Sequence, residues 1–189
     1  MRALLLAALL LAPAAASAQA AAPRLGPSLR ERALLKRHRG DLEALYRAAA
    51  PGALPDGESM GAATGFPGTI VGRIQEDLFG VFWQGKVFDR ANGTLVNKIL
   101  GGRHVTAKVS YGPSWLDGKE SVIIDYQDTS WLARDIRDEI REVAPGLYLG
   151  FAYQRGENGA PARADILFVL DFERAEWAVV PDAPASATP

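Results

Sequence analysis

Apolar and polar positions alternate through much of the second half of the chain. Val105, Ala107, Val109 and Tyr111 interleave with Thr106, Lys108 and Ser110, the period-2 pattern of a strand. Upstream, Phe82 to Phe88 reads as a strand, and Asn92-Gly93 is a hairpin turn leading into Thr94 to Leu100. The connection from Gly112 to Lys119 carries Pro113 and Asp117-Gly118, after which Glu120 to Tyr126 returns. Leu147 to Gln154 and Asp165 to Phe172 flank the loop RGENGAPA and make a third hairpin. The pattern therefore predicts an α+β chain, mainly antiparallel β, with about six strands in three consecutive pairs.

Other stretches follow a helical period. Ser28 and Glu31 form a capping box ahead of Leu35, His38, Leu42, Leu45 and Tyr46, which predicts an N-terminal helix over 28–50. Gly40 weakens it by roughly 1 kcal/mol relative to Ala. The Gly- and Pro-rich run 51–68 reads as a long loop, and Ile70, Ile74, Leu78 and Phe79 as one short helical face. Between the second and third hairpins lies SWLARDIRDEIREVAPG. Asp128, Thr129 and Ser130 offer N-caps, Pro145-Gly146 a stop, and Leu132, Ile136, Ile140 and Val143 a narrow apolar stripe. This predicts a charged helix laid across the sheet. Asp135–Glu139 and Asp138–Glu142 are like-charged at i,i+4, so the helix either presents a solvated charged face or brings some charges to partners elsewhere, Arg137 and Glu139 first among them.

Both faces of the predicted strands are apolar. In VIIDY, Val122, Ile124 and Tyr126 share one face and Ile123 the other; in DILFVLDF, Ile166, Phe168, Leu170 and Phe172 oppose Leu167 and Val169. Two covered faces imply either a strongly curved sheet with helices on it or a barrel partly packed by helices on its outside.

The first residues, MRALLLAALLLAPAAASAQA, have the charged start, short apolar stretch and small-x-small site of a secretory signal peptide over 1–20. A linker over 21–27, a β domain over 51–180 and a disordered tail over 181–189 complete the layout, and a periplasmic or secreted location follows. With 189 residues and no cysteine, the domain must hold together by burial alone. Net charge is −1, but residues 24–47 carry seven basic side chains against three acidic, while the remainder is acidic. A basic helix on an acidic body either docks on its own domain or makes weak contact with an anionic membrane surface, which leaves an envelope interaction protein as one reading. No nucleic-acid partner is expected of an exported protein.

Some residues bring a resemblance with them. Trp83-Gln84-Gly85-Lys86-Val87-Phe88 is similar to the W-x-G-K-x-F element of small bacterial proteins named for a GXWXG motif. Val122-Ile123-Ile124-Asp125-Tyr126 and Leu147-Tyr148-Leu149-Gly150 resemble two further segments of the partner domain of those proteins. The wider combination WQGKVF, GPSWLDGKE and IRDEIREVAPGLYLG also resembles an uncharacterised family of exported bacterial proteins. The resemblance implies a small lipocalin-like barrel and brings no catalytic residues with it.

Candidate chemistry is sparse. The two histidines, His38 and His104, lack metal-ligand spacing, so neither a metal nor another cofactor is expected. Asp117-Gly118-Lys119-Glu120 reads as a turn rather than a calcium loop, and no Gly-x-Ser-x-Gly elbow is present. Asp125, inside an apolar strand, is the carboxylate to weigh as a general acid or base, with Arg137 or a tyrosine beside it. That would make an isomerase or hydrolase of small apolar substrates. The aromatic strands favour instead a barrel that binds a small apolar or amphiphilic molecule, lined by Trp83, Phe88, Tyr111, Tyr126, Tyr148 and Phe151.

Overall fold

The computed structural model describes residues 29–65, 83–156 and 158–173. The expected signal peptide, linker, tail and short helical face at 70–79 lie outside them. Among the described residues are two helices, α1 (Leu29–Leu35) and α2 (Arg39–Ala48), and nine strands. The strands are β1 (Gly57–Glu58), β2 (Met60–Gly65), β3 (Trp83–Asp89), β4 (Thr94–Ile99), β5 (Gly102–Pro113), β6 (Glu120–Asp125), β7 (Ile136–Ala144), β8 (Leu147–Arg155) and β9 (Pro161–Asp171). All pair antiparallel in one sheet of order β1-β3-β4-β5-β6-β7-β8-β9-β2.

The sheet curls round on itself. β1 and β2 stand at its two ends yet are separated in the chain by Ser59 alone. Before Ser59 the segment pairs with β3; after it, with β9. Ser59 holds the crossing by donating its N–H and its hydroxyl to the Lys86 carbonyl, each at 2.9 Å. Gly85 makes the approach possible. A Cβ there would lie 2.4 Å from the Ser59 carbonyl oxygen, and its φ of 123° favours glycine. The result is a nearly closed barrel of nine strands, where the sequence pattern predicts about six.

The structure differs from the sequence pattern at three further places. The run 51–68, expected as a loop, contains β1 and β2, and its small residues serve close packing: a Cβ on Gly61 would meet the Trp83 ring at 2.5 Å. The predicted helix over 28–50 breaks into α1 and α2 at Lys36–His38. The predicted charged helix is β7, preceded by a turn-rich loop. Its apolar stripe fits a helical period, but the chain follows period 2. Ile136, Asp138, Ile140 and Glu142 alternate with Arg137, Glu139 and Arg141, and Pro145-Gly146 is the hairpin turn into β8, with Gly146 at φ 61°.

Two apolar cores result, one on each side of the wall. Inside, Phe88, Leu95, Ala107, Val109, Val122, Ile124, Tyr126, Ile140, Tyr148, Phe168 and Leu170 pack together. Outside, Leu34, Leu42 and Tyr46 of the helices cover Leu147, Leu149, Phe151, Tyr153, Leu167 and Val169. The two-sided apolar pattern thus belongs to a barrel whose outer wall is partly roofed by helices.

The roof is fastened by charges from β7. Arg141 is fully buried and donates to both carboxylate oxygens of Asp117, at 2.7 and 2.8 Å. It also donates to the Tyr46 carbonyl at 3.1 Å and the Ser121 hydroxyl at 2.8 Å. Glu139, likewise fully buried, accepts from Ser114, from the Trp115 amide at 2.8 Å and from Arg137 at 3.0 Å. Arg30 and Arg47 donate to the carbonyls of Pro145 and Leu116, so the basic N-terminal segment makes direct bonds to the barrel.

Candidate functional site

A cavity of about 490 Å³ occupies the half of the barrel interior that lies toward the β4–β5 tip. Pockets that hold small molecules run from about 300 to 1,000 Å³. Among the described residues its wall is mostly apolar: Ala63, Trp83, Ile99, Val105, Ile136, Ala152, Ile166 and Phe168 contribute. Leu132, 72% exposed, stands at its rim beside Trp131, 87% exposed.

One polar cluster interrupts this wall. Lys86 points inward from β3, in the same row as Phe88, and is 3% exposed. Its Nζ donates to Asp138 Oδ2 at 3.0 Å, to the Tyr126 hydroxyl at 2.6 Å and to Asn97 Oδ1 at 2.8 Å. The Tyr126 hydroxyl in turn donates to Asp138 Oδ2 at 3.1 Å. Asn97 accepts from Trp83 Nε1 at 3.0 Å and donates to Tyr126 at 3.1 Å and to the Val105 carbonyl at 2.9 Å. The ammonium also lies 5.4 Å from the ring centres of Trp83, Tyr126 and Phe168, within reach of a cation–π attraction.

Strands β3, β4 and β7 and the residue directly after β6 supply these groups, and irregular backbone aims two of them. The ladder between β3 and β4 shifts between Trp83 and Gly85, just before Lys86. The ladder between β4 and β5 shifts between Val96, opposite Thr106, and Asn97, opposite His104, and leaves Val105, whose φ is 61°, as the extra residue. A β-branched residue in that region is strained. In this conformation the Val105 carbonyl accepts from Asn97 Nδ2, which fixes the amide so that its oxygen faces Lys86 and Trp83. Bulges of this kind re-aim side chains beside functional sites.

Burial lowers the pKa of Lys86 from its ordinary 10.5, against the opposing attraction of Asp138. Burial, with the Asp138 charge beside it, raises that of Tyr126 well above 10.0. Replacing water by this cluster leaves a single cation balanced by a single carboxylate in an apolar space.

Of the side chains expected to line the interior, Trp83 and Tyr126 do line the cavity. Phe88 and Tyr148 face inward but below it: Phe88 packs on Phe172, and Tyr148 donates to the Ala53 carbonyl. Tyr111 is 44% exposed and donates to the Gly52 carbonyl. Phe151 lies on the outer face against Tyr46, because it alternates with the inward Gly150 and Ala152.

Asp125 does not enter the cavity. It alternates with Ile124 to face outward, accepts from Arg155 at 2.6 Å, and caps the Gln127 amide. Arg137 also faces outward, with Trp115 stacked at 4.3 Å and Glu139 as its partner. Asp125 and Arg137 lie opposite each other on the outer face but bond Arg155 and Glu139 respectively, while Tyr148 faces inward, so the expected acid–base pair is not formed beside the cavity. Lys86, Asn97 and Asp138 were missing from the sequence-based expectations. Lys86 was legible in principle, as a lysine on the same strand face as Phe88. Asp138 was hidden by the helical assignment.

No group of three or more metal-ligating side chains occurs among the described residues, and no helix among them is long and apolar enough to cross a membrane. Asp117 of the expected turn serves Arg141.

No family model and no curated protein matches the sequence. Among solved structures, a protein from Thermomonospora curvata is similar over 73% of this chain and 89% of its own, at 20% identity and a TM-score of 0.52. A likeness at that identity bears on the fold alone.

Proposed function

We propose that this protein is an exported, lipocalin-like binding protein whose barrel takes up a small, mainly apolar molecule carrying one polar group. The observation that carries the reading is the 490 Å³ cavity with mostly apolar walls and one buried polar cluster, Lys86–Tyr126–Asn97–Asp138, within it, the exposed Gln154 being the other polar side chain of the lining among the described residues. Apolar walls favour transfer of the ligand's body from water at roughly 25 cal/mol per Å² buried, and a localised polar group fixes its orientation. The signal-peptide pattern of residues 1–20 and the resemblance of WQGKVF to the GXWXG-type proteins support export and the lipocalin-like assignment. Weak contact of the basic N-terminal segment with an anionic membrane surface is part of the same proposal, through the exposed Lys36 and Arg37.

Fluorescence titration with N-phenyl-1-naphthylamine tests the reading. We expect saturable binding by the purified protein, and its loss when Ala152, on the cavity wall, is changed to Trp. Absence of saturable binding, or binding that Ala152→Trp leaves intact in a folded protein, would overturn it.

A further inference from the structure

We propose that Lys86 captures an apolar aldehyde within the barrel as a protonated imine. The proposal rests on the binding reading above and names the ligand class it favours.

Position comes first. Lys86 lies on the cavity wall, and its Nζ sits among the rings of Trp83, Tyr126 and Phe168, which line the same cavity. An aldehyde whose hydrocarbon body fills the apolar part of the space presents its carbonyl carbon to the amine.

Charge comes second. The overall change is Lys86 ammonium plus aldehyde to iminium plus water, so the site holds one positive charge before and after. Asp138, at 3.0 Å, is the counter-ion in both states. A neutral product would leave the carboxylate buried and uncompensated, at the cost of several kcal/mol that breaking a buried pair usually carries. The iminium avoids that cost.

Hydrogen bonding comes third. An ammonium has three N–H donors and an iminium nitrogen one, so two bonds are given up. None of the partners is orphaned by this. Asn97 Oδ1 keeps the bond from Trp83 Nε1, the Tyr126 hydroxyl keeps the bond from Asn97 Nδ2, and Asp138 keeps the bond from Tyr126. The remaining iminium N–H stays directed at Asp138.

The steps balance. Lys86 passes a proton to Asp138, and the free amine attacks the carbonyl carbon, forming the C–N bond. A proton moves from nitrogen to the former carbonyl oxygen. Asp138 returns its proton to that hydroxyl, the C–O bond breaks, and water leaves. The nitrogen lone pair closes the C=N bond, and no oxidant or reductant takes part. Desolvation, which favours the uncharged amine, works in the direction of the first step.

The test uses cinnamaldehyde at limiting concentration, trapping with sodium cyanoborohydride and peptide mapping by mass spectrometry. We expect one cinnamyl group per chain, on Lys86, at about tenfold or more over Lys36, Lys98, Lys108 or Lys119, as an activated amine in a binding site requires. Prior occupation by N-phenyl-1-naphthylamine should suppress it. Lys86→Arg and Lys86→Met should both lose this label; the mapping of the unaltered protein decides the matter if either fails to fold. Labelling spread over the exposed lysines, in a protein that still binds the fluorophore, overturns imine capture and leaves the binding reading standing. Failure of both labelling and fluorophore binding overturns the two together.

Discussion

Charged and polar side chains inside this protein divide into those that are fully paired and those that are not. Arg141 has both carboxylate oxygens of Asp117, and those bonds hold the Asp117 carboxyl below its usual range. Asp117→Asn leaves a fully buried guanidinium without its counter-charge, so we expect a loss of about 3 kcal/mol in urea unfolding. The sign with pH is the same: a depressed carboxyl pKa gives stability that is present above the unfolded value of 3.8 and lost as pH falls through the folded one. Tyr153 is the opposite case. Its buried hydroxyl, near the Glu139 carboxylate, makes no hydrogen bond of normal geometry among the described residues, although its ring packs on Trp115 and Phe151. Tyr153→Phe keeps the ring contacts and removes the unsatisfied group, and should raise the unfolding free energy by about 1 kcal/mol in the same assay.

At the scale of elements, legibility depended on whether charge and apolarity agreed about the period. β5 and β6 were readable because Val105, Val109, Val122 and Ile124 alternate with polar or second-face apolar residues. β7 was not, because its outward face is itself buried under Trp115 and the turn at 114–119, where Arg137, Glu139 and Arg141 replace apolar residues. The clue was present as opposite charges at i,i+2, which share a strand face but not a helix face. β2 was hidden by its own glycines and alanines, which look like loop until the ring of Trp83 lies across them. The cavity cluster followed the same division: Trp83 and Tyr126 were visible as aromatic strand residues, whereas Asp138 could be placed only once β7 was a strand. One turn runs against its own chemistry. Leu100 and Gly101 connect β4 to β5 with φ values of 53° and 77°, and Leu100 is 69% exposed. A two-residue hairpin turn with both φ positive suits Asn-Gly. Leu100→Asn should therefore raise the melting temperature, by an amount corresponding to about 1 kcal/mol.

Across the whole molecule, burial of tyrosines sets the response to alkali. Burial raises the pKa of Tyr46, Tyr126 and Tyr153, and pushes Tyr148 up to about 12. In the unfolded chain these groups ionise near 10.0. A raised folded pKa gives stability that is full below the unfolded value and declines as pH climbs past it. Lys86 acts the other way below 10.5, since the folded protein binds its proton less tightly than the unfolded chain. We expect the four tyrosines to prevail, so that the melting temperature followed by circular dichroism from about pH 8 to about pH 11 falls most steeply above about pH 10. A flat profile there would contradict the burial assigned to these phenols.

The crossing at Ser59 has a consequence for the order of assembly. The strand made first, at residues 57–65, finds its second partner in the strand made last, since Met60 pairs with Asp171. A chain emerging from its N-terminus therefore carries β2 without its ladder partner until nearly the whole domain has been delivered. Contacts of such sequence separation slow folding and prolong the life of open-edged intermediates. The same segment that brings the two ends of the sheet together in the finished molecule leaves them apart for longest while it is being made.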